Sequence, residues 1–257
     1  MAIVEYEQDG HVTTIMMNRS DRLNAVGTEM HNALARAWQR FMDDSNARVA
    51  ILTGTGRAFC AGRDIKEQAE RDGRTGPNPE RIAGVLGFWF VPDTTKPIIA
   101  AVNGGAYGLG WYMVCGSDIA VASESAVSAM SELPTGIIGP AFLPIMNQIP
   151  WLPASEIVLR GHTISAQRAY ELGLVNYVVP ADDVLPRAKA IAEELAALPP
   201  LHVQKTKEML MMSRPRPNTY TQTIAWPQAM QYLGKLEDTR EAAMAFAQKR
   251  KPAFQGR

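Results

Sequence analysis

Glu132 sits in the run Ala126-Val127-Ser128-Ala129-Met130-Ser131-Glu132-Leu133-Pro134-Thr135-Gly136-Ile137-Ile138, which holds no other charged side chain. A carboxyl group enclosed by apolar neighbours keeps its proton to higher pH, which suits it to shuttle protons near neutrality. The plainer reading pairs Glu132 with an arginine or leaves it in water. Two glycine-bearing segments offer complementary chemistry: Gly56-Arg57-Ala58-Phe59-Cys60-Ala61-Gly62-Arg63-Asp64-Ile65-Lys66 and Asn103-Gly104-Gly105-Ala106-Tyr107-Gly108-Leu109-Gly110-Trp111-Tyr112. Each follows a strand-like apolar run, and the second opens a helix. Small residues let a ligand approach the backbone, and unpaired N–H groups at a helix start attract negative charge. Two such loops at the carboxyl ends of parallel strands could aim two N–H donors at one oxygen, which is an oxyanion hole. The same residues also suit two tight strand-to-helix turns.

Other chemistries lack support. A dinucleotide fingerprint built on Gly108-x-Gly110 needs a third small residue where Met113 stands. There is no P-loop, no His-Glu-x-x-His pair and no Gly-x-Ser-x-Gly elbow. The four histidines, His11, His31, His162 and His202, are scattered without ligand-like spacing, so no metal site is read.

The elements that must position these residues follow from apolar spacing. Val12–Met17, Val49–Thr53, Pro97–Val102 and Asp118–Ala122 read as strands, and Val175–Val179 as a short one. Met30, Leu34, Trp38 and Phe41 share one helical face, and a short helix begins near Gly110. Ser165 can cap a helix that Gly173 ends, and Leu185, Ala188, Ala192 and Leu195 mark another helical face. Further helices are expected around His202–Met212, Tyr220–Tyr232 and Leu236–Lys249. Strands alternating with helices predict an α/β fold around a largely parallel, buried sheet. The expected division is an α/β core over 1–195 and a helical C-terminal lobe over 196–257.

Composition narrows the class of partner. The chain has 257 residues with 26 Lys+Arg against 26 Asp+Glu, a balance that gives no broad field for nucleic acid or an anionic membrane. Two cysteines, Cys60 and Cys115, cannot build a disulfide framework and suit a reducing compartment. Acidic residues stand in the first ten positions, where a signal peptide needs a basic end and an apolar run, so a cytoplasmic location is expected. The uncharged stretch between Lys96 and Asp118 is nearly long enough to span a membrane, but its glycines, Pro97 and Asn103 favour a buried strand, loop and helix. Phe88, Trp89, Phe90, Trp111 and Met113 could line a bulky pocket, although core packing is the commoner use of such residues.

In order and spacing these segments resemble the crotonase (enoyl-CoA hydratase/isomerase) family almost end to end. The resemblance runs through Asn18-Arg19 with Leu23-Asn24-Ala25, Arg57 to Lys66, Ile99 to Gly104 and Asp118-Ile119-Ala120-Val121-Ala122. It continues at Glu132 before Gly136-Ile137, at Ala166-x-x-Ala169-x-x-x-Gly173 and at Phe246 to Pro252. It implies repeated ββα-type units and a helical C-terminal trimerisation lobe. It also implies an acyl-CoA thioester as substrate, with coenzyme A arriving as part of the substrate and no separate cofactor or metal. The backbone N–H groups of Arg63 and Leu109 match the family's oxyanion donors, Leu109 standing where glycine is usual. Arg22, Leu23, Ala61, Asp64, Ile65 and Lys66 match coenzyme A contacts, with Asp21 at a commonly basic position. Phe246 and Lys249 match residues that reach coenzyme A from a neighbouring subunit, in a trimer or dimer of trimers. Two-glutamate hydratases carry one acid at the position of Glu132 and the other where this chain has Tyr112. A phenol titrating near about 10 is no base at neutral pH. The resemblance therefore favours a single-base double-bond isomerase using Glu132. Hydration, with or without retro-aldol cleavage and with Tyr112 orienting water, stands as the alternative, and a non-catalytic binding homologue as a third.

Overall fold

The computed structural model describes residues 2–70, 91–136, 148–213, 225–248 and 250–257. The chain opens with β1 (Val4–Asp9) and β2 (Val12–Met17), an antiparallel hairpin in register from Val4 opposite Met17 to Asp9 opposite Val12. Parallel strands β3 (Val49–Gly54), β5 (Ile98–Val102), β7 (Ile119–Ser123) and β10 (Tyr177–Val179) complete a six-stranded sheet ordered β1-β2-β3-β5-β7-β10. Every residue of β3 and β5 is buried, as expected of parallel strands covered on both faces. A second sheet, ordered β4-β6-β8-β9, uses only short strands: β4 (Ala58–Cys60), β6 (Gly105–Tyr107), β8 (Val127–Ala129) and β9 (Ile164–Ser165). Each of the first three ββα repeats ends in a helix: α1 (Thr28–Asp43), α2 (Ile65–Glu70) and α3 (Leu109–Gly116).

The helix α1 shows how spacing becomes packing. Met30, Leu34, Trp38 and Phe41 are all fully buried, and the Trp38 and Phe41 rings meet edge-on with centroids 6.0 Å apart. Burying each such side chain contributes roughly 1.5–3 kcal/mol. Residues from outside the helix satisfy both its ends. At the start, the Glu67 carboxylate accepts the Thr28 N–H at 3.0 Å. At the end, Lys96 Nζ donates to the carbonyls of Phe41 (2.8 Å), Met42 (3.2 Å) and Asp44 (2.7 Å).

Later helices are α4 (Trp151–Arg160), α5 (Ala166–Glu171), α6 (Val184–Ala196), α7 (Pro200–Ser213), α8 (Trp226–Leu233) and α9 (Glu237–Ala247). Ser165 caps α5, its hydroxyl accepting the Arg168 N–H at 3.1 Å. Val184, Ala188, Ile191 and Ala192 of α6 pack on Val49, Ile51, Ile99 and Val121 of the large sheet. The chain forms two compact units, residues 1–128 with 164–214, and residues 129–163 with 215–257. These boundaries differ from a division at 195 and 196. The reason for α7 is local: Lys207 Nζ lies 2.7 Å from Asp118 Oδ2 and 2.7 Å from the Lys96 carbonyl, tying that helix to the sheet. Among the described residues no helix is long and apolar enough to cross a membrane. The uncharged stretch from Lys96 to Asp118 is β5, β6 and α3.

Candidate active site

In the first unit, the loop after β2 and the loop after β3 are sewn together by one buried side chain. Asn24 is fully buried, and its amide accepts the Arg19 N–H (2.9 Å) and donates to the carbonyls of Thr55 (3.0 Å) and Ala58 (2.8 Å). Its φ of 56° and that of Leu23, 52°, lie in the left-handed region, which asparagine tolerates better than most residues. This bend lays the segment 23–26 along 61–64. Ala61 N–H donates to Leu23 O (2.9 Å), Val26 N–H to Gly62 O (2.8 Å) and Asp64 N–H to Val26 O (3.1 Å). The last two bonds form a parallel bridge between Val26 and Arg63. In such a bridge the residue between the two bonds turns its own N–H to the opposite side, away from Val26.

The second glycine loop lies against the first. Strand β4 pairs with β6 in parallel, Ala58 opposite Gly105 and Cys60 opposite Ala106. Gly62, at φ +93°, presses so closely on this loop that a Cβ there would lie 2.8 Å from the Tyr107 carbonyl and 3.7 Å from the Leu109 nitrogen. Gly110 is equally confined, since a Cβ would come within 2.3 Å of the Cys60 carbonyl. Leu109 is the first residue of α3, so its N–H has no partner one turn earlier within the helix. Both loops thus bring backbone around Gly62 and Leu109 together, with Arg63 the next residue on one side. Tyr112 follows Leu109 by three residues on α3 and is buried. Trp111 and Met113 are buried too, as core residues would be. Burial pushes the Cys60 thiol up to about 12, which makes it a poor nucleophile.

The remaining residues matched to coenzyme A contacts in this unit lie on the paired segments 23–26 and 61–64 and their immediate flanks. Asp21 and Arg22 are exposed on a one-turn 3-10 helix (Ser20–Arg22), Leu23 and Ala61 are half-buried, and Lys66 is exposed on α2. Ile65 is half-buried at the start of α2. Asp64 is different: its carboxylate is paired with Arg19 at 2.8 Å and accepts the Glu67 N–H at 3.2 Å, so its side chain serves the loop.

Glu132 belongs to the second unit. It is half-buried and begins a 3-10 turn, Leu133–Thr135, whose Thr135 donates to the Glu132 carbonyl through its N–H (3.0 Å) and its hydroxyl (2.8 Å). The turn is held on two sides. A Cβ on Gly161, which ends α4, would lie 2.6 Å from Pro134 Cδ and 3.0 Å from the Met130 carbonyl. Gly136, at φ +72°, rests on α9, where a Cβ would lie 2.6 Å from that of Ala242. Phe246, also on α9, is half-exposed. Phe88, Trp89, Phe90 and Lys249 lie outside the described residues. The organising part of Asn24 was missed by sequence reasoning, although an asparagine flanked by leucine and alanine after a polar turn was the available signal. The contact of Gly136 with Ala242 left no signal, because it joins residues about a hundred positions apart. Among the described residues no group of three or more His, Cys, Asp and Glu side chains could hold a metal.

Comparison with known proteins adds to this geometry. The sequence model of the family described as "Enoyl-CoA hydratase/isomerase" matches residues 7–257. An enoyl-CoA hydratase of Mycobacterium tuberculosis is 35% identical over 98% of this chain and 96% of its own length. A carnitinyl-CoA dehydratase of Proteus mirabilis is 32% identical over 96% of each chain. A crystal structure of a carnitinyl-CoA hydratase from Mycobacterium avium superposes with a TM-score of 0.85 at 32% identity, covering 100% of both chains.

Proposed function

The chain belongs to the enoyl-CoA hydratase/isomerase family, the crotonases, and from that premise we propose that it adds water to the α,β-double bond of an acyl-CoA thioester, or removes it. The observation that carries this reading is that relatives matched along nearly their whole length bear hydratase and dehydratase names. In the proposed reaction the thioester oxygen accepts hydrogen bonds from the Arg63 and Leu109 N–H groups. The closeness of Gly62 to the Leu109 nitrogen supports this pairing. Glu132 takes a proton from water as the water oxygen bonds to Cβ, and electrons from the double bond move toward the thioester oxygen. The resulting enolate is stabilised by the two N–H donors, worth about 10²–10³ in rate for one such donor. The proton held by Glu132 then passes to Cα, and Tyr112 holds the attacking water. Arg22, Leu23, Ala61, Asp64, Ile65 and Lys66 contact coenzyme A, Asp64 through its backbone. Phe246 and Lys249 do so from a neighbouring copy in a trimer or dimer of trimers. The enzyme works in the cytoplasm without metal, flavin or nicotinamide, so chelation leaves its rate unchanged.

Isomerisation is the second reading, favoured by Tyr112 at the position where two-glutamate hydratases carry an acid. There Glu132 removes an α- or γ-proton and returns it elsewhere, with no water consumed. Incubation with 2-enoyl-, 3-enoyl- and aryl-enoyl-CoA thioesters in oxygen-labelled water separates the two. Label in a 3-hydroxyacyl product supports hydration. Conversion of 3-enoyl to 2-enoyl thioester without label supports isomerisation and overturns the first reading.

A further inference from the structure

Gly136 and Gly161 hold the Glu132 turn between two helices, and one of those helices is itself fastened from outside. The last residues of the chain fold back on the first turns of α9. The Asp238 carboxylate accepts the N–H groups of Gln255 and Gly256, each at 2.7 Å, while the Asp238 N–H donates to the Arg257 carbonyl at 3.1 Å. Glu241 accepts the Ala253 N–H at 2.8 Å and pairs with Arg250 Nη2 at 2.7 Å. Glu237 pairs with Arg257 Nε at 2.9 Å. Glu237 and Asp238 in the first turn already suit the helix dipole; here they and Glu241 also grip the terminal segment. Beside these grips, α9 presents Thr239 and the buried Ala242 to Gly136. The Thr239 hydroxyl also ties the helix back to the Leu233 carbonyl at 2.6 Å.

We infer that α9, clasped at its first turns by the C-terminal segment 250–257, sets the position of the Glu132 carboxylate, with Asp238 and Ala242 as positioning residues. The path is short and lies within one compact unit. It runs from the tail to Asp238, along one turn of α9 to Thr239 and Ala242, across to Gly136, and back through the turn to Glu132. Ala242 suits its place because it is small: the backbone of Gly136 approaches its methyl group directly, and Gly136 has no side chain to keep the two apart. A base must reach its proton within hydrogen-bond distance, and a misplacement of about 1 Å costs roughly 10² in rate. Phe246 lies at the far end of the helix, so loosening the first turns acts on the turn rather than on that contact. The inference rests on the reading of Glu132 as the base.

Ala242→Val and Asp238→Ala test it, with Arg240→Ala, an exposed change on the same helix, as control. Amide hydrogen exchange at Thr135 and Gly136 reports the turn itself, because both N–H groups are bonded within it. Steady-state kinetics on the best 2- or 3-enoyl-CoA thioester of the panel report its catalytic consequence. The expected result is faster exchange at both amides and a fall in kcat of about tenfold or more with KM within about threefold, since only transition-state geometry is disturbed. Arg240→Ala should change neither. Should Ala242→Val not fold, Asp238→Ala carries the test, since it removes only the clasp. Unchanged exchange at Thr135 and Gly136 in Asp238→Ala overturns the inference, and so does faster exchange with unchanged kcat while Glu132→Gln is inactive. An active Glu132→Gln with faster exchange overturns the base assignment instead and leaves the mechanical coupling in place.

Discussion

A carboxylate and a phenol carry the chemical question at the scale of single residues. Glu132→Gln keeps the size of the side chain and removes its ability to accept a proton. It should fold, bind coenzyme A thioesters and lose about 10²–10⁴ in turnover. Near-normal turnover on the substrate chosen by the panel would remove Glu132 from the mechanism. Tyr112→Phe separates the two reactions. If Tyr112 holds the attacking water, kcat should fall by about a hundredfold or more, roughly 2.7 kcal/mol of transition-state stabilisation. If the enzyme only moves a double bond, the lost hydrogen bond is peripheral and costs about 1 kcal/mol. The candidates themselves are legible in the residues: an acid in an uncharged run, two glycine loops after apolar runs, and Tyr112 where the resemblance implies a second acid in two-glutamate hydratases. Tyr112 leans toward isomerisation, while the relatives matched along nearly the whole chain carry names of hydration and dehydration. What was not legible is the support. The bonds of Asn24 and the seat of Gly136 on Ala242 join distant parts of the chain, and no local spacing announces them.

Helices and strands succeed or fail here by how their ends are satisfied. Lys96 is buried, and burial lowers its ammonium below the ordinary lysine range, yet its three bonds close the carbonyl end of α1. Lys96→Met fills the same space without a donor, leaving those carbonyls unpaired. It should lower stability by about 1–3 kcal/mol, read as a shift in the urea midpoint with activity per folded molecule retained. The clasp on α9 has a different dependence. Hydrogen bonds from Arg250 and from the Ala253 N–H pull the Glu241 carboxyl from 4.5 down to about 2. Between those values the unfolded chain binds the proton that the folded chain refuses, so this contribution is complete above pH 4.5 and is lost as pH falls toward 2. Glu241→Gln should therefore flatten the fall of stability in that window and leave the neutral-pH slope unchanged, as measured by denaturant titration at stepped pH. The parallel strands of the large sheet were legible because they are short apolar runs between turns. Strand β1 was not, because its residues alternate between half-buried and exposed and it carries no buried core side chain. The three-residue strands β4 and β6 were hidden inside glycine loops, where pairing with a neighbouring loop, rather than propensity, makes them strands.

For the whole molecule, apolar surface supplies the argument that charge and length cannot. On α7, Leu201, Met209, Leu210 and Met212 are 65–72% exposed in the single chain, although Lys207 of the same helix reaches inward to Asp118. In the second unit Tyr232, Phe246 and Phe254 are half-exposed or more. Scattered exposed apolar residues are ordinary, but four large ones on one helix form the kind of surface that proteins cover. The occupant proposed is another copy of this chain, because the family resemblance implies a trimer or dimer of trimers and closed symmetric assembly is the common outcome. Burying these four side chains between copies contributes roughly 1.5–3 kcal/mol for each, which is substantial beside a typical net stability of about 5–15 kcal/mol. Sedimentation equilibrium should therefore give a mass three or six times the 28.2 kDa of one chain. Leu210→Glu and Met212→Glu together should shift it toward the monomer and reduce activity with it, because Phe246 and Lys249 then have no neighbour's ligand to reach. A 28.2 kDa species that keeps full turnover would show that each copy works alone and would end the assignment of Phe246 and Lys249 to a neighbour's site.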